Sequence, residues 1–312
     1  MGERHLHVAV GVIRDNSGNV LISLRHKSAH QGGLWEFPGG KLEAGETVEQ
    51  ALARELKEEL GILVQASSPL IQVTHNYSDL SVLLDVWAVR HFSGTANGHE
   101  GQKIQWVCPE QLVDYKFPKA NYPIITAVTL PSEYAILNAD KSDVLLSNLN
   151  KILDKQVKLI QARLKTLSSI EVKAFLELAV PLCQEKGARL LLNSAVKGIE
   201  KLNNADGIHL TSNDLLAVNH RPDGYALVSA SCHNQLELQH AEKIGVDFVV
   251  LAPVLTTKTH LDAKPLGWER FKELTAKANI PVFALGGLLR SDKITAQASG
   301  AQGIAGISCF LD

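Results

Sequence analysis

Apolar and polar positions follow two different regimes along the chain. In the first, residues 7–12 and 20–24 are short runs rich in β-branched side chains, with Asn16–Gly18 between them. They predict two strands joined by a turn. Val48, Leu52, Leu56 and Leu60 then recur at helical spacing. Thr47 with Gln50 forms a capping-box signature, and Gly61 stands where a C-terminal cap belongs, so a helix is predicted from about Val48 to Leu60. Residues 82–89 read as a further strand, 94–101 as a Gly-rich loop, and 124–128 as apolar and helical. Pro131 and Ser132 break the pattern, which places a domain boundary there, giving domains 1–130 and 131–312.

Beyond the boundary, short apolar runs recur, each followed by a helical stretch. The strand candidates are 134–137, 158–162, 189–192, 207–210, 225–229, 248–251, 282–285 and 303–307. Strands alternating with helices imply a parallel sheet. Eight such units predict a small TIM (β/α)8-type barrel. The chain ends at Asp312, just after the last strand, so the final outer helix is expected to be missing. Its loss would leave an apolar strip to be covered by the first domain, by another chain or by a rearranged segment.

Composition narrows the class. The chain of 312 residues has a net charge of −2, which gives no general pull toward nucleic acid or membrane. No apolar run approaches the roughly 20 residues that span a bilayer, and MGERHLHVAV at the N-terminus carries no signal-like apolar stretch. Cys108, Cys183, Cys232 and Cys309 are far apart and form no CxxC, which argues against zinc and disulfides and fits a reducing cytoplasm.

The chemistry concentrates in Gly40–Ile62, GKLEAGETVEQALARELKEELGI. Glu55, Glu58 and Glu59 lie at i, i+3 and i+4, on one face of the predicted helix. Three carboxylates so close repel one another unless a cation sits between them. Hard oxygen ligands suit Mg²⁺, which bridges to substrate phosphates rather than sitting in an all-protein cage. Arg54 can orient a glutamate through a charge-assisted bond. Phe37-Pro38-Gly39-Gly40 precedes the helix, and its glycines let backbone carbonyls approach a metal.

This segment resembles the box of the Nudix family, Gly-x5-Glu-x7-Arg-Glu-apolar-x-Glu-Glu-x-Gly-apolar, at every fixed position. Flanking pieces resemble the MutT-type 8-oxo-dGTP diphosphatases over roughly residues 5 to 130: VAVGVIRD, ISLR, LWEFPGGKLEAGET, HEGQ at 99–102 and FPKANYPII at 117–125. The resemblance implies an α/β/α sandwich with a mixed sheet. It implies that Glu55, Glu58 and Glu59, with a carbonyl of Gly39 or Gly40, ligate Mg²⁺, with Mn²⁺ as an alternative ion. Glu100 would complete the metal site or assist the water, and Glu55 would act as base or position the water. Arg25 would hold phosphate, while His30, the Glu36-Phe37-Pro38-Gly39 stretch and Asn121 would contact the nucleotide. Plain readings stand beside these: Arg25 as a strand surface residue, His30 as a loop residue, Asn121 as a helix cap before Tyr122-Pro123. Leu80, after Asp79, departs from the arginine expected there.

The second half resembles thiamine-phosphate synthase and its relative TenI over roughly residues 133 to 310. The matching pieces are Gln161-Ala162-Arg163-Leu164-Lys165, Asp206–Leu210, Leu227-Val228-Ser229, Ala252-Pro253-Val254, Pro281–Gly287 and Gly303–Ser308. The resemblance puts a diphosphate on Arg163 and Lys165 and a phosphate near Gly286-Gly287, with Ser229 and Ser308 counted in the same site. Gly286 and Gly287 also read as plain turn glycines. Two departures stand out. Asn193-Ser194 replaces the expected Asn-Asp of a magnesium site, with Asp214 keeping a second acidic position, and His260 replaces a lysine in the 256–260 loop.

The expected activity is Mg-dependent hydrolysis of a nucleoside triphosphate, 8-oxo-dGTP to 8-oxo-dGMP and pyrophosphate, in nucleotide-pool sanitation. The expected partner is a nucleotide rather than a nucleic-acid polymer or a membrane, with homo-oligomerisation or inter-domain docking through the barrel left open. The barrel is expected to bind a phosphorylated metabolite as a degenerate module. The alternatives are hydrolysis of a thiamine-related diphosphate, and a barrel active as synthase or thiazole tautomerase.

Overall fold

In the computed structural model, residues 5–77, 80–196, 205–257 and 264–311 are described; Asp79 and the 258–260 part of the loop singled out above lie outside them. The chain divides into two compact units, 1–129 and 130–312.

The first unit is built on a mixed sheet of β1 (His5–Ile13), β4 (Gly39–Lys41), β5 (Leu63–Asn76) and β6 (Ser81–Ser93) in the order β4-β1-β6-β5. β1 and β6 run parallel at its centre, and the other pairs are antiparallel. A smaller antiparallel sheet orders β3 (Trp35–Glu36), β2 (Val20–Leu24) and β7 (Ile104–Val107). Side chains alternate across β1. Ala9 and Ile13 pack with Leu52, Leu56 and Leu60 of α1 (Val48–Leu60). Val10 and Val12 pack with Ile124, Ile125 and Val128 of α2 (Tyr122–Thr129). The result is an α/β/α sandwich.

α1 has the predicted ends. Thr47 and Gln50 form a capping box, and Gly61 closes the helix in the left-handed conformation. Burying Leu52, Leu56 and Leu60 completely contributes about 1.5–3 kcal/mol each. β5 is the longest element that the sequence pattern does not announce, alongside the short β3, β4 and β7. It is an edge strand containing Pro69, with register shifts at three places, so its alternation of apolar and polar positions is broken.

The second unit is a closed barrel of eight parallel strands: β8 (Glu133–Leu137), β9 (Leu159–Ala162), β10 (Arg189–Asn193), β11 (Gly207–Leu210), β12 (Leu227–Cys232), β13 (Phe248–Leu251), β14 (Val282–Leu285) and β15 (Gly303–Gly306). All eight predicted strands are present; the fifth is shifted toward Cys232. Tyr134, Phe248 and Phe283 meet inside the barrel at ring separations of 5.4–5.7 Å. Outside, apolar faces of α3 (Ser142–Asp154), α4 (Ser169–Glu185), α5 (Ser212–Ala217), α6 (Gln235–Ile244), α7 (Gly267–Thr275) and α8 (Lys293–Ala298) cover the strands. After β15 the chain forms a 3₁₀ turn, Ser308–Phe310, that puts Phe310 fully buried into this outer cluster, with Leu311 packed against it.

One buried charge sits at the base of β8. Glu133 accepts from Arg290 Nη2 (2.7 Å), Arg290 Nε (3.0 Å) and Lys293 Nζ (2.9 Å). Burial works against its ionisation, but these cations outweigh it and hold the carboxyl below the usual 4.5. A carboxyl whose pKa is lower folded than unfolded stabilises fully above the unfolded value and loses that contribution as pH falls through the folded one. Glu133→Gln should therefore destabilise the barrel at neutral pH by about 1–3 kcal/mol. It should also flatten the acid-side loss below pH 4.5, which denaturant titrations of both proteins across pH 3–7 would check.

Candidate functional site

Two chain segments meet at the N-terminal site. β4 pairs with β1 so that Gly39 faces Val10 and Gly40 faces Ala9. Gly39 has φ 147°, and a Cβ there would overlap the Ala9 carbonyl, so only glycine fits. A Cβ at Gly40 would overlap the Glu55 carboxyl group. The glycine turn and the acidic helix face thus lie in direct contact.

Arg54 organises the carboxylates. Its Nε and Nη2 form a fork on Glu46 (2.8 Å each), Nη1 donates to Glu55 (2.8 Å) and Glu58 (3.4 Å), and Nη2 also reaches the Lys41 carbonyl (3.0 Å). The Arg54 hydrogen bonds, aided by the Glu43 N–H, pull the Glu46 carboxyl down to about 2. Among the described residues, Glu59 has no such counter-charge. Its carboxyl accepts a long bond from the Gly39 N–H (3.3 Å). Burial, and then the negative charges of Glu36, Glu100 and Glu55, push Glu59 up to about 8.

Carboxyl oxygens are the donor type that suits a hard divalent cation. Those of Glu55, Glu58 and Glu59 share one helix face, with burial and then neighbouring negative charge acting on Glu59. Among the described residues, no three acidic, histidine or cysteine side chains converge as a ready-made cation cage. Glu55 and Glu58 are turned toward Arg54 instead.

A cavity of about 480 Å³ adjoins this turn. Arg25, His30, Glu36, Phe37 and Asn121 line it together with Gly39 and Gly40, over an apolar floor that includes Val10, Leu80 and Leu84. Asn121 precedes α2 directly and is only 7% exposed. Arg25 is paired with Glu36 and donates to the His30 carbonyl (2.9 Å), so here it braces the loop between them. Burial raises the Glu36 carboxyl against the pull of Arg25. Pro38 is buried behind the lining, where its carbonyl accepts from the Gly11 N–H (2.8 Å).

Three lining or supporting residues were not legible as site residues in the sequence. Tyr77 stands edge-on to His30 (5.0 Å) and His75 (4.5 Å). Phe117 stacks on Phe37 at 5.6 Å, and Gln102 braces the loop that carries Glu100. Only the flanking HEGQ and FPKANYPII pieces hinted at the last two.

In the barrel, four neighbouring strands present polar groups. Arg163 and Lys165 follow β9, with Arg163 reaching Asn138 at 3.4 Å. Burial and then Arg163 lower the Lys165 ammonium, while Asp214 opposes them. Asp214 Oδ2 is occupied by two hydroxyls, from Ser194 and from Thr211 (2.7 Å). Asn193 turns inward, donating to Gln161 Oε1 (3.1 Å) and accepting from the Ala195 N–H (3.1 Å). With one carboxylate left, already bonded, and its asparagine committed elsewhere, these residues do not fit a magnesium–diphosphate site.

Ser229 is fully buried inside the barrel and pairs with His209 Nδ1 at 2.8 Å. Ser231, two residues further toward the strand end, is half-buried and pairs with His209 Nε2 at 2.8 Å. Burial pushes His209 down to about 3, so it is neutral. Gly286 and Gly287 take φ 109° and 68° and pack against Pro253 and Thr256, and the Gly286 carbonyl accepts from the Leu255 N–H (3.0 Å). Ser308 opens the 3₁₀ turn after β15. Among the described residues, no helix is long and apolar enough to cross a membrane.

The contact between Gly40 and Glu55 is directly testable. Gly40→Ala should displace the Glu55 side chain while leaving the fold intact. The pyrophosphate release that the sequence resemblance leads one to expect should fall about tenfold or more with little change in melting temperature, measured by steady-state kinetics and thermal denaturation.

Comparison with known proteins extends this picture. A NUDIX domain model matches residues 9–127, and a thiamine monophosphate synthase model matches residues 133–310. The 8-oxo-dGTP diphosphatase of Escherichia coli is 40% identical over 122 residues, 39% of this chain and 95% of the relative. The CTP pyrophosphohydrolase of the same organism is 37% identical over 118 residues, 38% of this chain and 87% of the relative. A provisionally named thiamine-phosphate synthase 2 of Aquifex aeolicus is 37% identical over 185 residues, 59% of this chain and 99% of the relative. The chain therefore belongs to the Nudix hydrolase family through its first unit and to the thiamine monophosphate synthase/TenI family through its second.

Proposed function

We propose that the first unit is a magnesium-dependent nucleoside triphosphate pyrophosphohydrolase that prefers 8-oxo-dGTP, releasing 8-oxo-dGMP and pyrophosphate. The observation that carries this reading is the shared cavity. Asn121, an amide that both donates and accepts, lines the same space as Gly39 and Gly40, which touch the carboxylates of α1. A nucleotide with its base edge on Asn121 would have its phosphates at the acidic face. Glu55, Glu58, Glu59 and a carbonyl of Gly39 or Gly40 would hold Mg²⁺, with Glu100 alongside. When bound, the ion would supply the positive charge that a triphosphate needs before water can approach it.

The chain's own residues do the rest. Glu55, seated on Gly40, takes the proton of the attacking water or aligns it. The water oxygen bonds to the β-phosphorus, and the oxygen bridging to the α-phosphorus leaves with the nucleoside monophosphate. Phe37, stacked on Phe117, gives the base a rigid aromatic neighbour.

Glu55→Gln should lower kcat by about 10²–10⁴-fold with the fold retained. That variant and the wild type should be run with Mg²⁺ on 8-oxo-dGTP, dGTP, CTP and thiamine-pathway diphosphates, following pyrophosphate or phosphate release. Higher kcat/KM for 8-oxo-dGTP than for dGTP supports the reading. A CTP or thiamine-diphosphate preference replaces the substrate, and near-normal turnover by Glu55→Gln removes the mechanism.

A second reading concerns the barrel, favoured by the hydroxyls on Asp214. The barrel binds a phosphorylated metabolite through Arg163 and Lys165 without magnesium and does not act as a synthase. Calorimetric titration with pyrophosphate should show a Lys165-dependent binding event whose affinity is the same with and without Mg²⁺ and which Lys165→Ala weakens about tenfold or more. Magnesium-tightened binding, or coupling of a pyrimidine diphosphate to a thiazole phosphate, would restore the synthase reading.

A further inference from the structure

The loop between β6 and β7 is bound to the end of α1 through two backbone N–H groups and one side chain. The half-buried Gln102 makes two hydrogen bonds of opposite sense. Its Nε2 donates to the Glu59 carbonyl (3.0 Å), and its Oε1 accepts from the Glu100 N–H (2.9 Å). Backbone N–H groups of the same loop bond to the helix end as well, one of them to the same Glu59 carbonyl. The His99 N–H donates to the Glu59 carbonyl (2.9 Å) and the Asn97 N–H to the Leu60 carbonyl (3.0 Å). The loop closes tightly on itself, since a Cβ at Gly98 would overlap the Gln102 carbonyl.

We propose that Gln102 is a positioning residue of the hydrolase site, joining the Glu59 carbonyl to the Glu100 amide so that the loop carboxylate is fixed against the helix carrying Glu55, Glu58 and Glu59. This rests on the first unit being a pyrophosphohydrolase. Both halves of the primary amide are needed, because the position demands a donor and an acceptor at once. Methionine has similar length and neither strong group. Glutamate keeps the acceptor, loses the donor and places a negative charge at a helix C-terminus, where it is unfavourable.

The experiment is a double-mutant cycle in the full chain with Mg²⁺, on whichever of 8-oxo-dGTP, dGTP and CTP is turned over best. Gln102→Met should lower kcat about 10- to 100-fold, with KM and melting temperature unchanged. In a Glu100→Ala background it should cost nothing further, since no carboxylate is left to place. Hydrogen exchange gives a readout independent of turnover: the Glu100 amide should lose protection in Gln102→Met, while amides inside α1 keep theirs. Equal kcat losses in both backgrounds, a lowered melting temperature without a kcat effect, or unchanged protection at Glu100 would each overturn the proposal. Wild-type protein inactive on all three triphosphates would overturn the underlying reading, and the proposal with it.

Discussion

Carboxylate repulsion is the constraint around which the first unit is arranged. Glu46, Glu55, Glu58 and Glu59 are crowded at one helix and its approach, with Glu36 and Glu100 close by. Arg54 answers part of this with a fork on Glu46 and single bonds to Glu55 and Glu58. Its fixed planar geometry does what a lysine could not. Glu59 is left with an N–H at 3.3 Å and a carboxyl raised to about 8. Everything nearby accommodates that imbalance: the side-chain-free turn at Gly39 and Gly40, the loop carrying Glu100, and the cavity that opens beside them. Burial and neighbouring negative charge together leave Glu59 as the carboxyl of this face most resistant to ionisation.

The barrel solves a related problem in the opposite way. Its interior holds Gln161, Asn193, His209 and Ser229, all nearly or fully buried. Each is bonded to another interior group: Asn193 to Gln161, Gln161 to Tyr134, and His209 to Tyr134, Ser229 and Ser231. Buried polar groups satisfied in this way cost little and lock one arrangement. Asp214 is handled similarly, since the hydroxyls of Ser194 and Thr211 both donate to its Oδ2. Ser194, where the resemblance leads one to expect an acidic residue, is a donor that holds this carboxylate.

The sequence by itself determined what depends on local periodicity and on residue type at fixed spacing. The capping box, the Leu52–Leu56–Leu60 stripe and Gly61 set both ends of α1, because caps and stripes act within a few residues. The eight barrel strands were legible because both faces of each are buried, so each is a short apolar run. The placing of Glu55, Glu58 and Glu59 on one face followed from helical geometry alone. Tertiary structure decided what depends on distant partners. β5 was hidden because Pro69 and its register shifts break the alternation, and it is a strand only because β6 pairs with it. Whether Arg25 would face a phosphate or brace Glu36 turned on the path of the loop to His30. Ser229 and Ser231 read alike in sequence and share one face of the strand, yet the nearness of Ser231 to the strand end leaves it half open while Ser229 is buried. Gln102 gained its place because the loop returns to the end of α1, a contact across 43 residues that no local pattern encodes.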